Sequence, residues 1–345
     1  TLADLGGAPV NYMKVTALVK TAGMVRGLRA LDVEHSREYQ VRGRVVINAT
    51  GVFADQILKM DEPSGPKIIR PSQGVHLVLD KAFLPGDSAI MVPHTDDGRV
   101  LFAVPWHDRV IVGTTDTPLD EPSLEPRALD GEVEFILKHA GRYMDRDPKR
   151  SDVLSVFAGL RPLVTSAHHH HTAAISRDHH LFVSRSGLVT ITGGKWTTYR
   201  KMGEDAIDQA ALVAGLDEHP SLTRNLRVHG WLKVVDRADP LHVYGSDAQL
   251  IRDMIATQPA LGERLHPRWP GVKAQVRWAA RHEMARTVED VLARRTRALL
   301  LDARGSIEAA PMVAELLAAE LGRDTAWQQA QVRDYSKLAN GYLLT

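Results

Sequence analysis

Between Thr192 and Lys201 the chain reads TGGKWTTYRK, directly after the apolar run LVTI and before a helical pattern. Paired glycines let a backbone approach another group closely. The open N–H groups of a first helical turn favour negative charge. A strand, a glycine pair and a helix start therefore suit an anion or an electron-rich ring, although an ordinary strand-to-helix turn fits the local pattern as well. Lys195 adds an ammonium to that field. Arg161, in AGLRPL, and Arg177, in AISRD, are two guanidiniums that could grip a phosphate or carboxylate bidentately. Surface ion pairs, Arg177 with Asp178 for instance, are the plainer alternative. His76 lies in GVHLVLD among apolar neighbours. An imidazole there can move a proton near neutral pH, and a satisfied core histidine is the commoner case. RRTR (Arg294–Arg297) sits in a helical pattern and reads as a solvated face.

Other chemistries are excluded or weak. The 345 residues contain no cysteine, so disulfides, thiolate catalysis and cysteine metal sites are out. His168–His171 and His179-His180 could take up a transition metal adventitiously, but HExxH is absent and no functional metal is expected. GxxxxGK[ST], GxSxG and EF-hand patterns are missing; neither Gly6-Gly7 nor Gly193-Gly194 continues into GxGxxG. A formal net charge of +1 recruits neither nucleic acid nor an anionic membrane. With 44% hydrophobic and 25% charged residues the composition is that of a globular protein, and no apolar run approaches a membrane span.

The elements that must carry these residues follow from periodicity. Tyr12–Val19, Met24–Asp32 and Glu38–Val41 alternate as strands. RVVINATG (Arg44–Gly51) is a continuous apolar strand ending in small residues, as in a parallel sheet whose carboxyl end binds ligands. Residues 67–116 read as an antiparallel meander, with Val75, Leu77 and Leu79 on one face and His76 with Val78 on the other. Asp130 is placed to cap a helix through about Met144, with Val133, Ile136, Leu137 and Ala140 inward. Ser155–Val164 and a hairpin over Leu181–Thr192 return to the sheet. A helix from Tyr199 to about Leu216 follows, with Met202, Ala206, Ile207, Ala210 and Ala211 inward. Beyond Pro220–Lys233 the chain reads as five helices, at about 247–258, 272–285, 287–299, 307–322 and 324–341. The residues alone reach a ligand-binding α/β plus β enzyme core with a helical appendage and an anionic substrate.

VINATGVFAD, SQGVHLVLD, RVLFAVPWHDRVIVGTTDT, FAGLRPLV, TAAISRDH and TGGKWTTYRKMGEDAID, in that order, resemble the FAD-dependent glycerol-3-phosphate dehydrogenases of the D-amino-acid-oxidase-like flavoenzymes. The match covers most of residues 1–215, and RHEMARTVEDVLARRTR (Arg281–Arg297) resembles that family's C-terminal domain. The resemblance implies an α/β (α+β) fold: a partial FAD-binding parallel sheet, an antiparallel substrate-domain sheet and a C-terminal helical domain. The boundaries would be 1–216 for the oxidoreductase domain, 217–233 for a linker and 234–345 for the helical domain.

The resemblance also implies oxidation of sn-glycerol 3-phosphate to dihydroxyacetone phosphate, with hydride passing to FAD and electrons to a quinone. Ala49, Thr50 and Gly51 would lie beside the ADP half of FAD; Gly193, Gly194, Lys195 and Thr197 would meet the flavin. His76, Arg161 and Lys195 would surround the substrate C2 hydroxyl. His76 is favoured as base, because a lysine or arginine would need a strongly lowered pKa. Arg177, with Arg161, would bind the phosphate. The expected setting is cytoplasmic, peripheral on the inner membrane face, and compatible with a homodimer.

The family opens with a strand–GxGxxG–helix segment that is not in this sequence. The chain starts at Thr1 in what reads as a helix end, so the expectation is an N-terminally incomplete domain that binds FAD poorly. Competing expectations are an O2-using glycerophosphate oxidase, an amine or amino-acid oxidase, and a non-catalytic fragment or interaction module.

Overall fold

The computed structural model describes residues 1–93, 95–164 and 178–344. Arg177 and the His168–His171 tract lie outside the described residues. The chain divides into two compact units. One comprises Thr1–Gly74, Asp116–Pro126 and Gly159–Arg227; the other comprises Val75–Thr115, Arg127–Ala158 and Val228–Thr345.

In the first unit, β1 (Met13–Thr21), β2 (Met24–Asp32) and β3 (Arg37–Arg42) form an antiparallel sheet in chain order. A second sheet has β12 (Leu188–Gly193) at its centre, antiparallel to β11 (His179–Val183) and parallel to β4 (Val46–Asn48). The expected parallel strand is present, but only three residues of it pair. Leu188 lies opposite Val46 and Thr190 opposite Asn48. Helix α1 (Ala54–Asp61) leaves β4, and α3 (Tyr199–Ala214) leaves β12. Of the residues expected to face inward on α3, Ala206 and Ala210 are buried and Ile207 is exposed. Asp61, at the end of α1, is buried; it pairs with Lys20 at 2.7 Å and accepts from Ser186 Oγ at 2.5 Å.

In the second unit the strand order is β10 (Val153–Val164), β5 (Ile69–Asp80), β8 (Arg109–Gly113), β7 (Leu101–Trp106), β6 (Ile90–Val92). Both β5 and β10 are divided between the units, and the opening residues of β5 pair with the short β9 (Thr117–Pro118) in the first. The period-two reading of β5 holds. Val75, Leu77 and Leu79 join Leu101, Val110 and Val112 in a core closed by Val133, Ile136, Leu137 and Ala140 of α2 (Asp130–Gly141). Truncating a fully buried member such as Ile136 to Ala removes about 2–5 kcal/mol. Asp130 is not the cap of α2. Glu132 reaches back instead, accepting from Leu129 N at 3.0 Å through one oxygen and from Thr115 Oγ1 at 2.8 Å through the other.

The helical part of this unit contains α4 (Ala248–Thr257), α5 (Lys273–His282), α6 (Ala298–Leu301), α7 (Ala303–Leu321) and α8 (Thr325–Asn340). Gly322, in the left-handed region, stops α7, and Asp324 restarts the chain by accepting from Trp327 N at 2.8 Å. The helix expected over 287–299 is a π-helical segment, Asp290–Arg295. Both the N–H and the hydroxyl of Thr296 donate to Val291 O, five residues back, and Arg297 breaks the run at φ 60°. Periodicity alone does not distinguish this widened turn from an α-helix. Among the described residues no helix is long and apolar enough to cross a membrane.

Candidate active site

The two neighbouring parallel strands β4 and β12 end at the same edge of the first unit, where open α/β sheets bind ligands. Asn48, at the end of β4, is buried. Its amide donates to Ala54 O at 3.1 Å, and its carbonyl accepts from Thr50 Oγ1 at 2.7 Å and Thr50 N at 3.4 Å. The NATG sequence thus folds back on its own asparagine and leaves Ala49 and Thr50 exposed. Gly51 has φ +59°, with nothing within 4 Å of where a Cβ would stand. Thr192 Oγ1, on β12, donates to Gly51 O at 3.2 Å. This bond brings two of the stretches singled out by sequence, Ala49–Gly51 and Gly193–Lys195, to one edge.

The glycine pair has an internal reason as well. Gly193 and Gly194 both have positive φ, 76° and 75°. A Cβ on Gly193 would meet Asp178 O at 2.8 Å; one on Gly194 would meet Met202 Sδ at 2.5 Å and His179 Cβ at 3.2 Å. Close approach of strand β11 and helix α3 therefore demands glycine here before any ligand is considered. Lys195 follows, exposed and without an ion pair among the described residues. The next turn, Trp196–Thr198, is 3₁₀ rather than α, and Thr198 Oγ1 is used locally: it donates to Lys195 O at 2.9 Å and accepts from Lys195 N at 3.3 Å. Thr197 and Trp196 are exposed, and Trp196 stacks on Tyr199.

Arg161 belongs to the part of β10 in the first unit. Its Nη1 lies 3.5 Å from Asp116 Oδ1, the oxygen that also accepts from Ser72 Oγ. Asp116 is thus an orienting carboxylate for the guanidinium, and the GTTDT sequence contains it.

His76 is in the second unit, on the β5 face opposite the core. It pairs in register with Gly113 of β8 and stacks on Phe157 of β10, with ring centroids 5.3 Å apart and planes 16° from parallel. A Cβ on Gly113 would sit 2.4 Å from His76 Cδ2, 2.9 Å from Cγ and 2.7 Å from Val75 O. Only glycine leaves room for the ring. Val75 N is in turn held by Thr115 Oγ1 at 3.0 Å. Sequence reasoning missed Gly113, Phe157, Asn48 and Asp116 as residues in their own right. The signal was present for all four, since Asn48 lies in VINATG, Gly113 and Asp116 in GTTDT, and Phe157 opens FAGLRPLV.

Among the described residues no group of histidines and carboxylates could hold a metal. Gly51, open where a side chain would stand, the exposed Thr50 and the exposed ammonium of Lys195 offer backbone and positive charge at this edge, which suits an anionic ligand.

A family model described as FAD dependent oxidoreductase matches residues 1–200, and one described as the C-terminal domain of alpha-glycerophosphate oxidase matches residues 191–331. The chain belongs to the FAD dependent oxidoreductase family. It is 37% identical to the mitochondrial glycerol-3-phosphate dehydrogenase of Homo sapiens, over 98% of this chain and 50% of that protein. The corresponding protein SDP6 of Arabidopsis thaliana is 36% identical, over 96% of this chain and 58% of its own length. The chain thus spans about half the length of the human relative. The glycerol-3-phosphate dehydrogenase of Bacillus halodurans, solved in complex with FAD, superposes with a TM-score of 0.85 at 27% identity, covering 99% of this chain and 71% of that one. The mixed fold with its helical C-terminal part agrees with that match.

Proposed function

We propose that this chain oxidises sn-glycerol 3-phosphate at C2 to dihydroxyacetone phosphate with FAD as cofactor, as part of a glycerol-3-phosphate dehydrogenase, and that its electrons pass to a quinone. The observation that carries this reading is the 37% identity spread over 98% of the chain. Residues 1–216 are assigned to the oxidoreductase domain, 217–233 to a linker and 234–345 to the helical domain.

FAD, when bound, supplies the acceptor for the hydride that leaves C2. The residues of the chain do the rest. Ala49, Thr50 and Gly51 present backbone to the adenosine diphosphate half, and Gly193, Gly194, Lys195 and Thr197 present backbone and charge to the ring half. His76 accepts the hydroxyl proton as the carbonyl forms; its ring plane is fixed by Phe157 and by the bare Gly113. Arg161, oriented by Asp116, and Arg177 bind the phosphate, a contact remote from the reacting carbon that fixes its orientation. Lys195 stabilises negative charge developing on oxygen.

The test is the visible absorption spectrum of the purified chain after incubation with FAD, followed by glycerol 3-phosphate without oxygen. Retained flavin that bleaches on substrate supports the proposal; retained flavin that bleaches only with an amine or amino acid refutes it. Reoxidation by a soluble quinone analogue but not by air supports the dehydrogenase over an O2-using oxidase. Peripheral attachment to the inner membrane face and a homodimer belong to the same proposal, tested by vesicle sedimentation and by solution mass.

A further inference from the structure

His179 opens strand β11 and lies opposite Gly193, the last residue of β12. Its Nε2 is 2.9 Å from Asp205 Oδ2 on α3, and Lys201 Nζ is 2.7 Å from the other oxygen of the same carboxylate. The Lys201 ammonium, against the effect of burial and with help from His179, holds the Asp205 carboxyl below its ordinary range. The glycine turn is enclosed by these same elements. Gly194 donates its N–H to Asp178 O at 3.3 Å. The space where its side chain would stand is taken by His179 Cβ on one side and Met202 Sδ on the other. One wall is β11, the other is α3, and the His179–Asp205 contact ties the two together beside the turn. Both side chains are about three-quarters shielded, at 24% and 25% exposure, so the contact is less screened than a surface pair.

We propose that His179 is a positioning residue: through its hydrogen bond to Asp205 it fixes the Gly193–Lys195 turn against α3, and so sets the backbone edge and the ammonium offered to the bound flavin. This rests on the FAD reading above for its functional half. The geometric half, a latch on the turn, stands on the contacts alone. The latch adds to the bonds from Gly194 N–H to Asp178 O and from Thr198 Oγ1 to Lys195 O, which are local to the turn and do not tie it to α3 through a side chain. Gly193 and Gly194 are the most pliable residues available, and the Lys195, Trp196 and Thr197 side chains are exposed.

The experiment compares the wild-type chain with His179→Ala, His179→Gln, Asp205→Ala and the double variant His179→Ala/Asp205→Ala. Two quantities are read: amide exchange along residues 188–214, with and without FAD, and the FAD dissociation constant from flavin fluorescence. His179→Ala should raise exchange at Gly194–Trp196 by about tenfold, leave Leu188–Ile191 protected, and weaken FAD binding by about tenfold, the range for losing a hydrogen bond to a charged partner. His179→Gln, which keeps a donor, should recover most of both. The double variant should be no worse than Asp205→Ala, which removes the same contact together with the Lys201 ion pair. Additive losses would overturn the proposal, as would unchanged exchange at the turn. So would exchange that rises evenly over β11, β12 and α3, since that marks a general loss of stability. If the wild-type chain takes up no FAD, the function proposed above fails, while the exchange pattern of the ligand-free variants still decides the latch.

Discussion

Glycine serves two regions of the molecule differently. In the first unit Gly51, Gly193 and Gly194 all have positive φ, and the chain turns there because the backbone must enter a region that side chains rarely adopt. In the second unit Gly113 is the last residue of β8, opposite His76, and is bare because an imidazole occupies the space. The first arrangement shapes a backbone edge; the second aims one side chain. A ligand held by a backbone edge tolerates small shifts, because many weak contacts share the load. A proton acceptor held by one ring plane does not. The two regions should therefore fail in different ways: affinity at the strand ends, turnover at His76.

The largest effect is expected from Gly113→Ala. The new methyl group meets His76 Cδ2 at 2.4 Å and Val75 O at 2.7 Å, so ring and strand must both move. We expect about 1–3 kcal/mol of lost stability from overpacking. Turnover should fall by about 100-fold, the scale of a displacement near 1 Å of a reacting group. FAD affinity should stay within a factor of two or so. Phe157→Leu, which removes the stacked ring without a clash, should lower turnover in the same direction but by only about three- to tenfold. Stopped-flow reduction of the bound flavin beside a thermal melt separates these quantities. Unchanged reduction by Gly113→Ala would remove His76 from the chemistry.

At the strand ends the counterpart is Asn48→Ala. It removes the acceptor of Thr50 N and Oγ1 and the donor to Ala54 O in one step, from a residue 2% exposed. About 2 kcal/mol of stability should go, with a matching loss of FAD affinity and little change in the reduction rate of the flavin that remains bound. Gly51→Ala is the milder version. There is room for the methyl group, so only the left-handed backbone is disfavoured, by about 1 kcal/mol. Isothermal titration with FAD and chemical denaturation measure both. A fall in reduction rate larger than the fall in affinity would erase the distinction drawn above.

How far the sequence reaches is clear from the same residues. Period-two alternation placed Val75, Leu77 and Leu79 inside and His76 on the far face, because a strand's faces are fixed by its geometry. Turn signals placed the β6–β7 and β7–β8 hairpins, and the glycine pair placed the strand-to-helix turn; the full meander expected over 67–116 is not formed, because β5 pairs with β8 rather than with β6. What alternation does not encode is which side chain of a distant strand lies above which glycine. Phe157 meets His76 from 81 positions away, and nothing local to either one announces it. The same holds for Asp116 beside Arg161 and for the bond that joins Thr192 to Gly51 across 141 positions. The π-helical turn at Asp290–Arg295 was illegible for another reason: its hydrophobic spacing differs too little from that of an α-helix.

The smallest effects come from two carboxylates, Asp61 buried and Glu283 half-buried, whose pH dependence has opposite sign, one in each unit. Burial would raise the Asp61 carboxyl, but the Lys20 ammonium and the hydroxyls of Ser184 and Ser186 outweigh it and hold the group below its ordinary value of 3.8. A lowered folded value means that Asp61 contributes stability above pH 3.8, lost as pH falls through the folded value. Asp61→Asn should therefore lose about 1 kcal/mol at pH 7 and approach wild type under acid conditions. Glu283 is the reverse. Burial raises its carboxyl, Asp247 adds to the effect, and Arg295 only partly opposes it. A raised folded value means that its contribution is fully present below its ordinary value of 4.5 and is lost as pH rises through the folded value. Above that folded value the shielded carboxylate, once ionised, is a liability. Glu283→Gln should raise the melting temperature at pH 7 by about 1 °C and leave it unchanged near pH 4. Melting curves of both variants from pH 4 to pH 8 check the pair, and slopes of the same sign would mean that one of the two carboxylates is held in surroundings other than those described.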